Sequence, residues 1–285
     1  TTWRVSARAD LTEGLALRGS LGTAFRAPSL QQQNFSAVQG AISQGQLVSV
    51  ATLPVGDTIA QALGARALRP ERSDNYSVGI VLQPTSRLAF TIDAFHIRIE
   101  DRIALSEQLG GADVNAILAG AGIEGFSQVR FFTNAVDTTT TGVEATARWS
   151  GDLGLETRAS VDLGFALYEN ELKTLRANPA LPDLPLLGNK SILFLTEAQP
   201  SDKLTAQAIL EHRSLEARAA LTRFGTYVSQ PIVETQTFDG GMSVDLSLGY
   251  DVSPAFTLTA GLQNLFDDRP EEIADQARFI AATGG

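Results

Sequence analysis

Apolar and polar residues alternate one for one along most of this chain. From Leu15 to Arg26 the odd positions read Leu15, Leu17, Gly19, Leu21, Thr23 and Phe25, and the even ones Ala16, Arg18, Ser20, Gly22, Ala24 and Arg26. Successive side chains of a strand point to opposite faces. This period of two therefore predicts a ribbon with one oily side and one side of small polar groups and arginine. The rule recurs in Trp3–Asp10, Asn75–Gln83, Gly142–Trp149, Leu155–Tyr168, Lys203–Glu211, Leu215–Thr222, Met242–Val252 and Phe256–Asn264. One stretch, Arg87–Glu100, breaks the rhythm: its apolar set moves from Phe90 and Ile92 to Phe95, Ile97 and Ile99. A bulge near Ala94, or exit of the strand from its apolar surroundings into a loop, accounts for the shift. Ten strands are expected.

The connections alternate in length. Short ones carry "DLTEG", "PTS", "GDLG", "HRS" and "SPA"; long ones run from Arg26 to Arg72, Asp101 to Val129, Glu169 to Asp202 and Val228 to Gly240. A water-soluble antiparallel sandwich shares the alternation. Short turns at one end and long loops at the other instead mark an outer-membrane barrel. Aromatics follow the same division, Phe25 and Tyr76 lying toward the long loops and Trp149, Tyr250 and Phe256 toward the short turns, as two interfacial girdles would. Hydrocarbon cannot hydrogen-bond a backbone, so a sheet placed there must close on itself.

Composition sharpens this picture. No apolar run reaches the ~18 residues of a membrane helix, a test that strands evade. Net charge is −10, from 22 basic and 32 acidic residues, which disfavours a nucleic-acid partner. Cysteine is absent, excluding disulfides, thiolate catalysis and thiolate-bound zinc. The polar register places Arg4, Arg8, Arg18, Glu144, Arg148, Glu156, Arg158, Asp162, Glu216, Arg218, Asp245 and Asp251 on one inward face. A barrel of about eight strands has little room for so many charges; a plugged one of about 22 does.

Several segments resemble, in order, the motifs of TonB-dependent outer-membrane receptors: "LRGSLGTAFRAPSL" (Leu17–Leu30), "LRPERSDNYSVGIVLQP" (Leu68–Pro84), "FTIDAFHIRIEDRI" (Phe90–Ile103), "FFTNAVDTTTTGVEATARW" (Phe131–Trp149) and "GLQNLFDDRPE" (Gly261–Glu271). The resemblance implies an all-β fold, a transmembrane antiparallel up-and-down β-barrel with long extracellular loops and short periplasmic turns. The chain would supply roughly strands twelve to twenty-one of about 22. Residues 1–285 are then expected to be a barrel fragment without the N-terminal plug and the last strand, integral to the Gram-negative outer membrane. The resemblance further implies active import of a scarce small molecule, such as a ferric siderophore, cobalamin or oligosaccharide. Its partners would be outer-membrane lipid, the plug of the same full-length chain and the TonB–ExbB–ExbD complex. Arg18, Glu144, Arg148, Arg158, Asp162, Arg218 and Asp245 are the candidates to face the plug.

In the long loops, "SLQQQNF" makes Gln31, Gln32, Gln33, Asn34 and Phe35 ligand candidates, since amides beside an aromatic suit a sugar or siderophore; packing on a neighbouring loop is the alternative. "RPE" at Arg69–Glu71 reads as an inward salt-bridge anchor at the rim, with ligand binding as the alternative. Gly22, Gly79, Gly142 and Gly164 are expected to admit a close neighbour or relieve curvature. His96 and His212 are the only histidines, and neither has a serine at nucleophile spacing. "GGADVNAILAGAG" predicts a short helix capped by Asp113 and lacks the Lys-Ser/Thr ending of a phosphate loop. No enzyme activity, cofactor or metal is expected. The rivals are an adhesin or autotransporter translocator and an outer-membrane barrel enzyme.

Overall fold

The structure, a computed structural model, describes residues 2–43, 46–122, 127–230 and 234–274. In chain order, β1 (Trp3–Thr12) and β2 (Leu15–Arg26) lead to α1 (Leu30–Asn34), β3 (Ala37–Ser43), β4 (Gln46–Thr52) and α2 (Thr58–Ala62). Then come β5 (Glu71–Thr85), β6 (Leu88–Leu105), β7 (Leu109–Gly110), α3 (Ala112–Gly120) and β8 (Gln128–Arg130). β9 (Phe132–Gly154), β10 (Thr157–Leu175) and α4 (Asn189–Thr196) precede β11 (Asp202–His212) and β12 (Leu215–Phe224). β13 (Tyr227–Ser229), β14 (Gln236–Phe238), β15 (Met242–Ser253) and β16 (Phe256–Leu262) complete the series.

Ten of these strands form one antiparallel sheet in the order β1-β2-β5-β6-β9-β10-β11-β12-β15-β16, open at both edges. Each hairpin at one end closes through two residues, at 13–14, 86–87, 155–156, 213–214 and 254–255. Leu155 and Glu156 both have positive φ, 51° and 60°, the geometry whose twist matches the flanking strands. At the other end the chain leaves through segments 27–70, 106–131, 176–201 and 225–241.

Register carries the alternation across the whole sheet. One row joins Leu21, Tyr76 and His96; the next joins Gly19, Val78 and Ala94. Further along, Ala217, Leu248 and Ala260 share a row. The leucine-bearing face lies open, with Val5 57%, Val78 61%, Ile92 54% and Leu248 49% exposed. Trp149, Tyr250 and Phe256 lie at its short-turn end, and Trp3 and Phe25 toward the other. No described helix is long and apolar enough to cross a membrane.

Several expectations are corrected. No bulge occurs at Ala94, because β5 and β6 stay in register from Leu82–Phe90 to Arg72–Glu100. Phe95, Ile97 and Ile99 simply occupy the charge-bearing face, while His96 and Arg98 continue the outer one beyond its apolar band. The irregularity lies later, between Ile99 and Ile103, where Asp101 has φ 55°. Strands β9 and β10 run on together to Val136–Leu175, so the loop expected at Glu169 begins after the strand instead. Glu156 sits in a turn and pairs with Arg213 at 3.1 Å, outside the lumenal register. Asp113 lies in the first turn of α3, whose N-cap is Gly111. His212 closes β11 and is half-buried.

The buried core is not within the great sheet. Phe131, Leu63, Leu187, Val114, Val129, Ala51 and Leu109 pack together in a cap built from the first three long segments. Strand β4 pairs parallel with β8 through Val50–Gln128, Ala51–Val129 and Thr52–Arg130, inside a second sheet ordered β3-β4-β8-β7. Asn178, fully buried, ties the segments: its Nδ2 donates to Leu63 O at 3.0 Å and its Oδ1 accepts from the Ala180 and Leu181 amides at 3.0 and 3.2 Å.

Candidate functional site

The sheet face opposite the leucines is a field of ion pairs. Arg18 Nε donates to Asp93 Oδ1 at 2.8 Å, with a second bond from Nη2 to Oδ2. Arg148 pairs with Asp162, Arg158 with Asp152 at 3.3 Å, and Arg218 with Glu216 at 3.3 Å. Asp245 accepts from Ser243 Oγ at 3.1 Å and from the Asn264 amide at 2.8 Å. All seven lumen candidates share this face by register. Glu144 is the one among them with no side-chain partner among the described residues. Pairing across strands explains the composition: Arg18, Arg148, Arg158 and Arg218 each find an acid on their own strand or on one of the next two.

The "NLFDD" stretch acquires a local role. Asn264 Nδ2 donates to Asp268 O at 2.9 Å, the Leu265 amide donates to Val244 O at 2.8 Å, and Asp268 accepts from the Met242 amide. This turn clamps the start of β15 against the end of β16.

Beyond the apolar band, the motifs around Pro28 and Pro70 meet as a rim. Arg26 and Glu71 face each other at the ends of β2 and β5 in a two-point ion pair, with Nε–Oε2 at 2.6 Å. Glu71 also accepts from the Ile103 amide at 2.8 Å. Burial opposes ionisation of Glu71, but these donors and the charge of Arg102 outweigh it and hold its carboxyl below the usual range. Arg69 pairs with Asp101, and Arg176 bridges Asp101 at 3.2 Å and Asp137 at 2.8 Å. Asp137 is likewise held low: burial opposes its charge, and the Asp101 amide and Arg176 prevail. Burial lowers the pKa of Arg102, whose guanidinium donates to Thr138 Oγ1 at 3.3 Å. Of the two readings of "RPE", a salt-bridge anchor at the rim or a ligand contact, these pairs fit the anchor. Asn134, Asp137 and Asp101 escaped the sequence reading because only register brings them to Arg69 and Arg176.

The loop amides stand on α1, outside the cap core. Gln32 closes a capping box with Ser29, Gln33 Nε2 donates to Pro28 O at 3.1 Å, and Asn34 Nδ2 to Leu30 O at 3.0 Å. Gln31 keeps a free amide among the described residues, and Phe35 is partly exposed. A cavity of about 680 Å³ opens where β10 runs past the end of β11, lined by Tyr168, Asn170, Glu197, Gln199, Thr226 and Tyr227 among others. Hydrogen-bonding groups beside two tyrosines at this end suit a polar organic ligand. The histidines lie apart: His96 Nδ1 meets Thr141 Oγ1 at 2.8 Å on the outer face, and His212 Nδ1 meets Thr157 Oγ1 at 2.7 Å beside a short turn.

Known proteins place this architecture. Residues 1–265 match the family model described as TonB dependent receptor-like, beta-barrel. No curated protein matches the sequence. A mutant of the ferric enterobactin receptor from Pseudomonas aeruginosa superposes with TM-score 0.60 at 18% identity, covering 93% of this chain and 35% of that one. The siderophore receptor PirA from Acinetobacter baumannii gives 0.60 at 15% identity, with 93% and 37% covered. The ferric yersiniabactin uptake receptor FyuA from Yersinia pestis gives 0.54 at 17%, with 94% and 32% covered. The chain therefore spans about a third of the length of these solved receptors. A ten-stranded antiparallel sheet, one charged face and a family match over residues 1–265 lead to one statement: the chain belongs to the TonB-dependent receptor β-barrel family, a family of the outer membrane.

Proposed function

We propose that this chain is part of the barrel of an energised importer in a Gram-negative outer membrane. The capped end faces the medium and receives ligand; the two-residue turns face the periplasm. A plug supplied by the rest of the receptor fills the barrel that these strands help to enclose, and Arg18, Glu144, Arg148, Arg158, Asp162, Arg218 and Asp245 face it. The TonB–ExbB–ExbD complex draws the plug aside. No covalent bond is made or broken; the protein's work is binding and displacement.

One observation carries the reading: a single antiparallel sheet has an uncovered leucine-bearing face and an ion-paired opposite face, with a folded cap at one end only. Lipid accounts for the first face and a wet, plugged lumen for the second. A wall whose charges are mostly paired can release a plug leaving few buried ions unpaired. Solved receptors of the same fold are named for ferric enterobactin and ferric yersiniabactin. A ferric siderophore is therefore the first ligand to test, ahead of cobalamin or an oligosaccharide.

The test is uptake of radiolabelled ferric siderophores by cells expressing the full-length receptor, with and without TonB. Accumulation that needs both is expected. Accumulation that persists without TonB overturns energised import.

A further inference from the structure

On the outer, leucine-bearing face, β9 presents Ala145, Ala147, Trp149 and Gly151 in turn, each two residues nearer the short-turn end. The strands on either side carry larger groups in the same rows: Ile92 and Phe165 flank Ala145, and Phe90 and Leu163 flank Ala147. Two alanines between four large side chains leave a trough. A groove of about 580 Å³ lies there, with these six residues among its walls. From Ala145 to Gly151 the strand advances roughly 20 Å, enough to cross one leaflet of a hydrocarbon core about 30 Å thick.

The trough ends at a cation. Trp149 and Arg87 both lie over Gly151, where a β-carbon would stand 3.1 Å from Trp149 Cζ2 and 3.6 Å from Arg87 Cδ. Gly151 is therefore buried within a strand end that is otherwise exposed. Arg87 sits in the two-residue turn between β5 and β6, exposed, and its guanidinium has neither a carboxylate nor a hydrogen-bond acceptor among the described residues. Toward the same end, Arg8, Arg148, Arg158, Arg213 and Arg218 each pair with a carboxylate. The one guanidinium of this group without an acid is thus the one placed beside an indole at the edge of the apolar band.

We infer that this strip of the outer face binds one glycerophospholipid of the periplasmic leaflet, its phosphate on Arg87 and an acyl chain in the trough over Ala145 and Ala147. A planar guanidinium matches two phosphate oxygens with paired N–H donors, and a pair formed at the border of hydrocarbon is less screened than one in open water. Trp149 suits the level between them, apolar ring toward the chain and N–H toward the headgroup region. A chain-shaped groove and an unmatched cation on one line call for a single amphiphile, which neither feature would by itself. The choice of leaflet rests on the reading of the two-residue turns as the periplasmic end.

The test is native mass spectrometry of the detergent-solubilised full-length receptor titrated with phosphatidylglycerol, with diacylglycerol and inorganic phosphate as separate competitors. Arg87→Gln removes no ion pair of the structure, and Ala147→Phe fills the trough from the lipid side; unchanged thermal unfolding confirms the fold of both. The unaltered receptor retains phosphatidylglycerol, and neither competitor displaces it, since each lacks one part of the ligand. Retention falls about tenfold or more in each variant. Undiminished retention in either variant overturns the site, as does displacement by inorganic phosphate alone. Retention of lipopolysaccharide in preference to phosphatidylglycerol overturns the choice of leaflet. Arg87-dependent lipid on a receptor whose uptake proves independent of TonB would keep the site and refute import. Energised uptake with no Arg87-dependent lipid would do the reverse.

Discussion

Arg18 and Asp93 hold each other across an intervening strand, passing over Gly79. Arg18 is on β2, Asp93 on β6, and Gly79 on β5 lies opposite both. Only a residue without a side chain leaves room for this bridge. A β-carbon at position 79 would stand 2.0 Å from Asp93 Oδ1 and 3.0 Å from the Ile92 carbonyl oxygen. Gly142 plays a similar part beneath the Phe95 ring.

Gly79→Ala should therefore break the two-point pair and destabilise the barrel by about 1–3 kcal/mol. Gly19→Ala supplies the control, since its β-carbon would meet only the Ser77 carbonyl oxygen at 3.4 Å. Urea unfolding of the full-length receptor in detergent should separate the two. Equal midpoints would mean that the bridge does not constrain position 79.

Arginine placed on the two faces of β15 tests which one meets lipid. Leu248 lies on the open apolar face between Ala217 and Ala260, and Ser247 on the charged face beside Arg218. Leu248→Arg should cost about 2–4 kcal/mol in a bilayer, as an arginine near mid-membrane does. Ser247→Arg should cost markedly less. Folding titrations in lipid vesicles read both values, and a reversed order would assign the faces wrongly.

Acid should loosen the rim. Glu71 and Asp137 have folded-state pKa values below their ordinary ones, so the unfolded chain binds protons first as pH falls. Their contribution to stability is complete above about pH 5. It is lost as pH falls below about 4 toward the folded values. Glu71→Gln should lower stability at pH 7 by about 2 kcal/mol, because it removes the charge opposite Arg26 and puts an NH2 donor in place of one of the two oxygens that accept from Arg26 and the Ile103 amide. The variant should also show a shallower acid loss. Unfolding midpoints between pH 7 and pH 3 check both statements; an unchanged acid slope would remove Glu71 from the rim's titration.

Asn178→Ala should unlock the cap alone. It removes three hydrogen bonds, orphaning the buried Leu63 carbonyl and freeing the Ala180 and Leu181 amides at the edge of the core. Hydrogen exchange should quicken at Val50–Thr52 and around Leu63 and stay unchanged in the β9–β10 hairpin near Trp149. Uniform quickening would show that cap and sheet open as one unit.

Much of the sheet was legible from single residues. Ten strands, their two faces and the long-segment end all follow from alternation and turn spacing, which are local. Glu156 was misplaced because a turn with positive φ continues the apparent alternation for one residue past the strand. At Ala94 the sequence leaves a bulge and an exit from the apolar surroundings both open, because a change of hydrophobic face looks the same in either case; the unbroken register rules out the bulge. Among the candidates for the site, Arg18 and Glu71 were found, but Asp93, Asn134 and Asp137 were not. A charge shows in a sequence; the partner it will meet does not.

The sequence by itself determined the strands, the chemistry of each face and the family, because a period of two and ordered motifs are properties of neighbouring residues. Only the tertiary structure decided which charges meet and that three long segments share one core. Register aligns Arg18 with Asp93 across 75 positions, and β4 meets β8 although Val50 and Gln128 are far apart in the chain. Such contacts depend on the closing of long loops, whose cost and outcome are written in no single stretch of residues.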